Sequence, residues 1–368
     1  MSSEKREAKS IWSLALNERN RAESDREEAL QDSGIVFLGS KNAGKTTVVL
    51  RFLEREESPK PTVALEYTFG RKQARGAHLK KNVAHIWELG GGTSLTQLLD
   101  AVITEGTIKT LSFAIVLDLS KPEDLYHTLE TLLKELRQKI SKALADLTAK
   151  EPRAAEKLRK NAWRKYGDDH PDKDLLDLFS TPLIIIGSKY DVFQNFDSEK
   201  RKVVCKLLRF ISHTTGGHLQ FYSSKSTGLI NRTNALISSL IFHTPLSHVS
   251  QFDFGKPLVI SSGSDSLGSI GAPPLPGGNI GRINARNPHD LWKQAYLGFF
   301  PEGDSPKQQV AEDRFRENQY KESAVDMMRA QKDEELERYR RASERRTRET
   351  ARQGEVQARR TLNRQVKS

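Results

Sequence analysis

Eight residues, Gly39-Ser40-Lys41-Asn42-Ala43-Gly44-Lys45-Thr46, restrict the folds open to this chain more than anything else in it. They match G-x-x-x-x-G-K-[ST] in full, after the apolar run "IVFL" and before the helix-permissive "TVVLRFL". Such a loop works between a strand and a helix. The glycines let the backbone curl so that successive N–H groups face phosphate, and the helix N-terminus favours the anion. Lys45 reaches the terminal phosphates and Thr46 offers its hydroxyl to Mg²⁺. The spacing therefore predicts an α/β domain that holds a nucleotide through Gly39, Ser40, Lys41, Asn42, Ala43, Gly44, Lys45, Thr46 and Thr47.

The pattern around this loop agrees. From Gly34 to about Ser250, strand-like runs ("GIVFLG", "TVALEYTF", "NVAHIWEL", "LSFAIVLDLS", "PLIIIGSKYD", "HLQFYSS") alternate with amphipathic helical stretches. Continuous apolar runs at 113–117 and 183–186 predict strands buried on both faces of a mostly parallel sheet. Residues 141–180 exceed what a crossover needs and read as a helical insertion. We divide the chain into an N-terminal helical extension (1–31), a P-loop domain (32–250), a Gly/Pro-rich connector with a short docking helix (251–310), and a charged helical or disordered tail (311–368).

In the extension, Ile11, Trp12, Ala15 and Leu16 form a small apolar patch at helical spacing. The composition of 263–281 disfavours regular helix. Asn287-Pro288 then starts a capped helix carrying Leu291, Trp292, Tyr296, Phe299 and Phe300, for a partner or for the chain's own domain. In the tail, Val325, Met328, Leu336 and Tyr339 share a stripe that Lys332 interrupts, so no long coiled coil is expected.

The formal charge of +11 is uneven: from Arg341 to Ser368 there are nine Lys+Arg against three Asp+Glu. This is a basic tail on an otherwise balanced chain. No aromatic residue follows Tyr339, so the tail offers bases nothing to stack on and nucleic acid is not an expected partner. A single cysteine, Cys205, allows no intrachain disulfide and reads as inert core. No signal-like run and no transmembrane segment of about 20 apolar residues occurs, and the expectation is a soluble intracellular protein. His85 and His170 lack metal-ligand spacing, and "DDHPD" reads as a capped turn.

Two further constellations bear on the nucleotide. Ser188-Lys189-Tyr190-Asp191 closes an apolar strand where guanine-binding domains carry N-K-x-D. An aspartate there accepts hydrogen bonds from the ring nitrogen and amine of guanine, which adenine cannot offer. The Lys189 stem covers the ring, and Ser223-Ser224-Lys225 closes the last strand, resembling the S-A-K loop that flanks guanine, with Ser224 and Lys225 as its expected contacts. The alternative is a charged strand end that makes a structural ion pair. In Trp87-Glu88-Leu89-Gly90-Gly91-Gly92, Glu88 stands where small GTPases place the D-x-x-G aspartate, and Gly92 where they place the water-orienting glutamine. Glycine positions no nucleophile. Thr62 is either the switch threonine or simply the opening of a strand. The expected ligand is GTP or GDP with Mg²⁺ near Thr46, Thr62 and Glu88, with no catalytic residue.

Longer strings carry a resemblance. "SKNAGKTT", "PKPTVALEYTFGRK", "WELGGGTSL", "VLDLSKPEDL", "IIGSKYDVFQNFDSEKRKVVCKLLRF", "DSLGSIGAPPLP" and "LWKQAYLGFFP" resemble the light intermediate chain family of cytoplasmic dynein 2, over roughly residues 10 to 340. The resemblance implies a Ras-like domain in a motor subunit that binds and stabilises the dynein-2 heavy-chain tail. It also implies contact with other dynein-2 subunits and intraflagellar transport trains, support of retrograde transport, and a place in the cytoplasm, cytoskeleton, cilium or flagellum and basal body region. The alternative class is an active small GTPase switch in ciliary or membrane traffic.

Overall fold

Parallel strands of Val, Ile, Leu and Phe need helices on both faces, and the chain supplies them. The computed structural model describes residues 32–72, 82–167, 170–246, 250–274, 287–301 and 322–365. The helix expected over 10–31 lies outside the described residues. The chain forms two compact units, Met1–Ser305 and Pro306–Ser368. In the first, seven strands are ordered β2-β3-β1-β4-β5-β6-β7. They are β1 (Ser33–Gly39), β2 (Leu65–Lys72), β3 (Asn82–Leu89), β4 (Leu111–Asp118), β5 (Leu183–Ser188), β6 (His218–Phe221) and β7 (Val259–Ile260). β3, β1, β4, β5 and β6 run parallel, and the outer strands β2 and β7 are antiparallel to their neighbours. The sheet is mostly parallel, as its apolar runs predict.

One face is covered by α1 (Lys45–Phe52) and α6 (Thr227–Phe242), which enclose Ile35, Phe37, Val48, Ile86, Val116, Ile184 and Ile237. The other carries α2 (Pro122–Lys150) and α5 (Ser198–Thr215). In α2, Leu125, Leu129, Leu132, Leu136, Ile140 and Leu147 recur at helical spacing and are all buried. The predicted insertion, 141–180, is helical only as far as Trp163. Within it α2 runs on to Lys150, and α3 (Pro152–Trp163) follows after one break. The described residues beyond α3 form turns and loop, with one short 3-10 turn at Lys173–Leu175. Glu151 takes an extended ψ of 76° because the residue before proline is pushed out of the helical region, and Pro152 then sits at the first helical position.

Three details depart from the sequence expectation. β2 begins at Leu65, so Thr62 lies in the loop before it. The run "KPLVIS" contributes β7, a two-residue antiparallel edge strand. Within the Gly/Pro-rich segment a helix does form, α7 (Leu267–Ile270). Its Ser266 cap accepts from the Ser269 N–H at 3.2 Å. The buried Arg209 of α5 donates to Asp265 at 2.7 and 2.8 Å and to Ser269 Oγ at 2.8 Å. Local capping plus a buried ion pair outweigh composition there.

Of the two surfaces open to it, the docking helix packs on the chain's own domain. α8 (Pro288–Phe299) starts as predicted, with Asn287 accepting from the Asp290 N–H at 2.8 Å. Its aromatic residues turn onto the chain's own domain, between α2 and α5. Trp292 stacks on Phe210 at 4.7 Å and 15°. Tyr296 is 1% exposed and its hydroxyl donates to the Pro122 carbonyl at 2.7 Å.

The second unit contains α9 (Ser323–Gln365), whose Val325, Met328, Leu336 and Tyr339 stripe is exposed. Among the described residues, no helix is long and apolar enough to cross a membrane.

Candidate functional site

The predicted phosphate loop joins the end of β1 to the start of α1. Gly39 there is a steric requirement. Its φ is +149°, and a Cβ would lie 2.1 Å from the Val116 carbonyl oxygen. Lys45 opens α1, 6% exposed, and its ammonium donates to the Gly39 and Ser40 carbonyls at 3.2 and 3.0 Å. The loop is thus curled around its own lysine. Ser40, Gly44, Thr46 and Thr47 are half-buried, Lys41 and Asn42 are exposed, and Ala43 is buried in the wall beneath them.

The three residues expected at Mg²⁺ meet. Thr46 and Thr62 both donate to Glu88 Oε1, at 2.7 and 2.9 Å, and their hydroxyls are 3.5 Å apart. Oxygen ligands about 2.1 Å from an octahedral Mg²⁺ sit roughly 3 Å from one another, so this cluster fits the ion. Thr62 therefore joins the Thr46–Glu88 cluster and does not open a strand. Gly90 permits its approach, since a Cβ there would lie 2.4 Å from the Thr62 carbonyl oxygen. Burial pushes the Glu88 carboxyl up, against hydrogen bonds from Thr46 and Thr62 and the charge of Lys45. Burial likewise lowers Lys45, against the charge of Glu88. A cationic lysine and a hydroxyl–carboxylate cluster face the loop from the same side as the helix N-terminus. That electrostatic arrangement suits a polyphosphate with its divalent counterion.

The predicted base-recognition residues also converge. Asp191 is the second residue of α4 (Tyr190–Phe193), held by Ser223 Oγ at 2.9 Å and by the Lys225 ammonium at 2.6 Å. The hydrogen bond from Lys225 is the main reason its carboxyl is held below the ordinary aspartate range, keeping it an ionised acceptor. Lys189 adopts φ +57° and pairs with Asp118. A cleft of ≈ 440 Å³ opens beside Asp191, lined by Ser223, Lys225 and Arg232. A hollow of ≈ 470 Å³ lies at the opposite ends of the strands, near Ser33, Leu111 and Pro182, away from the phosphate loop. Ser224 is exposed, and the contact to Asp191 comes from its buried neighbour Ser223. The sequence places Ser223 in the loop but assigns the contact to Ser224, because two adjacent serines look alike until the strand end fixes which one points inward.

Ser188, where guanine-binding domains carry asparagine, joins the two halves. Its hydroxyl lies 2.6 Å from the Ala43 carbonyl of the phosphate loop and 2.9 Å from the Leu117 carbonyl of β4. Ser188→Ala should cost about 1 kcal/mol of stability and loosen the loop. Urea unfolding with a nucleotide titration checks this, the expected result being a lower midpoint and several-fold weaker binding.

Gly92 lies beside the phosphate loop, where its missing Cβ would sit 3.5 Å from the Lys41 amide nitrogen.

Comparisons with known proteins follow the same lines. The family model described as dynein light intermediate chain (DLIC) matches residues 6–177. The cytoplasmic dynein 2 light intermediate chain 1 of Bos taurus is 47% identical over 340 residues, 91% of this chain and 96% of that protein. Its counterpart in Homo sapiens is 46% identical over 341 residues, again 91% and 96%, and that of Danio rerio 44% over 340 residues, 90% and 94%. A crystal structure of the conserved domain of a dynein light intermediate chain aligns with a TM-score of 0.51 at 18% identity. It covers 76% of this chain and 93% of that one. That similarity bears on the fold alone.

Proposed function

The chain belongs to the dynein light intermediate chain family, in its cytoplasmic dynein 2 branch, and from that premise we propose that its Ras-like domain serves the dynein 2 motor as a nucleotide-holding scaffold. The observation that carries this reading is similarity along 91% of the chain to proteins named as dynein 2 light intermediate chains. The partner is the dynein-2 heavy-chain tail, which the subunit binds and stabilises. Further contacts are with other dynein-2 subunits and with intraflagellar transport trains. The protein works in the cytoplasm, on the cytoskeleton and in the cilium and its basal body region, in retrograde transport and cilium assembly.

GTP or GDP would be held by Gly39 to Thr47 at the phosphates and by Ser188, Lys189, Asp191, Ser223 and Lys225 around the base. Thr46, Thr62 and Glu88 would hold Mg²⁺. When bound, the Mg²⁺ ion neutralises phosphate charge. This chain's residues bind and orient, and Gly92 supplies no group that moves a proton or places water. A ligand that binds only the folded state stabilises it by mass action, so a scaffold gains from a nucleotide it does not turn over. A hydrolytic switch would need a water-positioning side chain, which the Gly92 position lacks.

Denaturing freshly purified full-length protein and identifying the released nucleotide by chromatography tests the scaffold reading. The expected result is intact GTP at close to one per chain. Quantitative GDP together with steady turnover of added GTP would overturn it in favour of the switch.

A further inference from the structure

At the ends of the strands opposite the phosphate loop, the chain returns from its helical insertion and meets the end of α5. Three side chains gather there. His213 is in the last turn of α5 with a fully buried side chain. Asp172 lies 41 residues earlier, and its Oδ2 is 2.9 Å from His213 Nε2. The Leu267 N–H at the start of α7 donates to the same Oδ2, also at 2.9 Å. His170 completes the group, its Nδ1 accepting from the Asp172 N–H at 3.2 Å. The His170 and His213 rings are 5.5 Å apart, and the Tyr166 ring packs against both, at 5.2 and 5.9 Å.

One ligand atom from each of His170, Asp172 and His213 lies within 4.8 Å of the other two. Three points that close have a common centre at most about 2.8 Å away, so shifts of under about 1 Å bring all three to the 2.0–2.2 Å of zinc–nitrogen and zinc–oxygen bonds. His213 turns Nε2 toward Asp172 with its side chain fully buried, so the ligand atoms converge in a site closed on one side by protein. Two imidazoles and a carboxylate within reach of one point are a donor set for a borderline divalent ion. It is not one for Mg²⁺ or Ca²⁺, which take oxygen.

We propose that His170, Asp172 and His213 bind one Zn²⁺-class ion that clamps the exit of the helical insertion and the start of α7 to α5. The clamp would act with contacts already present. The Asp177 and Phe179 N–H groups bond the Thr214 and Thr215 carbonyls at 2.8 and 3.0 Å, and Arg209 anchors Asp265. The Mg²⁺ cluster sits beyond the other ends of the strands, so the two sites are chemically and spatially distinct.

The test uses the full chain, stripped with a chelator, dialysed, reloaded with Zn²⁺ and freed of excess metal. Metal content is read by mass spectrometry, and Co²⁺ loading by visible absorption. The expected result is one Zn²⁺ per chain and a melting temperature several degrees higher with zinc than without. His170→Ala and Asp172→Asn should each weaken zinc binding at least tenfold and abolish the thermal shift. His127→Ala on the exposed side of α2 should change neither. Folding of the variants is verified by circular dichroism, and His170, being only half-buried, is the safer substitution. A folded wild-type chain that retains no zinc, or zinc binding that survives both His170→Ala and Asp172→Asn, overturns the proposal.

Discussion

Replacing Asp191 with asparagine is expected to lower GTP affinity by about two orders of magnitude. The carboxylate is fixed by Ser223 and Lys225, and the hydrogen bond from Lys225 keeps it ionised. Two charge-assisted hydrogen bonds to guanine, each contributing about 1.5–3 kcal/mol, would be weakened together. A net loss near 3 kcal/mol is about a hundredfold in Kd. Isothermal titration with GTP, ATP and xanthosine triphosphate separates base recognition from general damage. The 2-oxo group of xanthine accepts a hydrogen bond that an asparagine amide donates, so the xanthine nucleotide should gain as GTP loses. An unchanged GTP-to-ATP ratio would mean that Asp191 and Lys225 form only a structural ion pair.

Much of the candidate site was legible because its signals are local. The loop from Gly39 to Thr46 declares itself by spacing, and the flanking runs declare strand and helix. The position of Asp191 followed from an apolar strand ending in Ser188-Lys189. What stayed hidden depended on contacts between distant segments. Thr62 could not be told from a strand residue until Glu88, 26 residues later, was seen to accept its hydroxyl proton. Ser224 was chosen over Ser223 because adjacent serines differ only in which one the strand end turns inward.

His170 was set aside for lack of ligand spacing, since its nearest imidazole comes from α5 and no short pattern links them. The helix at Leu267–Ile270 was missed for a similar reason. Its composition is poor for helix, and its support comes from Arg209 on another element. Parallel sheets bring together segments far apart in sequence, so their sites divide into local loops that can be read and cross-element clusters that cannot.

Tyr296→Ala should destabilise the domain by about 3–5 kcal/mol, the range for removing a large buried aromatic. At about 2–4 °C per kcal/mol for a domain of this size, the melting temperature should fall by roughly 10 °C. The side chain touches Tyr126 and Phe300, at 6.0 and 5.0 Å, and its hydroxyl satisfies the Pro122 carbonyl at the first turn of α2. Tyr296→Phe should lose only about 1 kcal/mol, because it keeps the ring and forfeits one hydrogen bond. Thermal and urea unfolding of both variants measures the difference. The comparison also decides how α8 relates to a partner. A helix whose aromatic residues are spent on α2 and α5 has only its outer residues left for the proposed heavy-chain contact, so any loss of heavy-chain binding by Tyr296→Ala should track loss of folding. If Tyr296→Ala unfolded at the wild-type midpoint yet failed to bind, α8 would not be docked in solution. Its aromatic face would then be the partner surface itself.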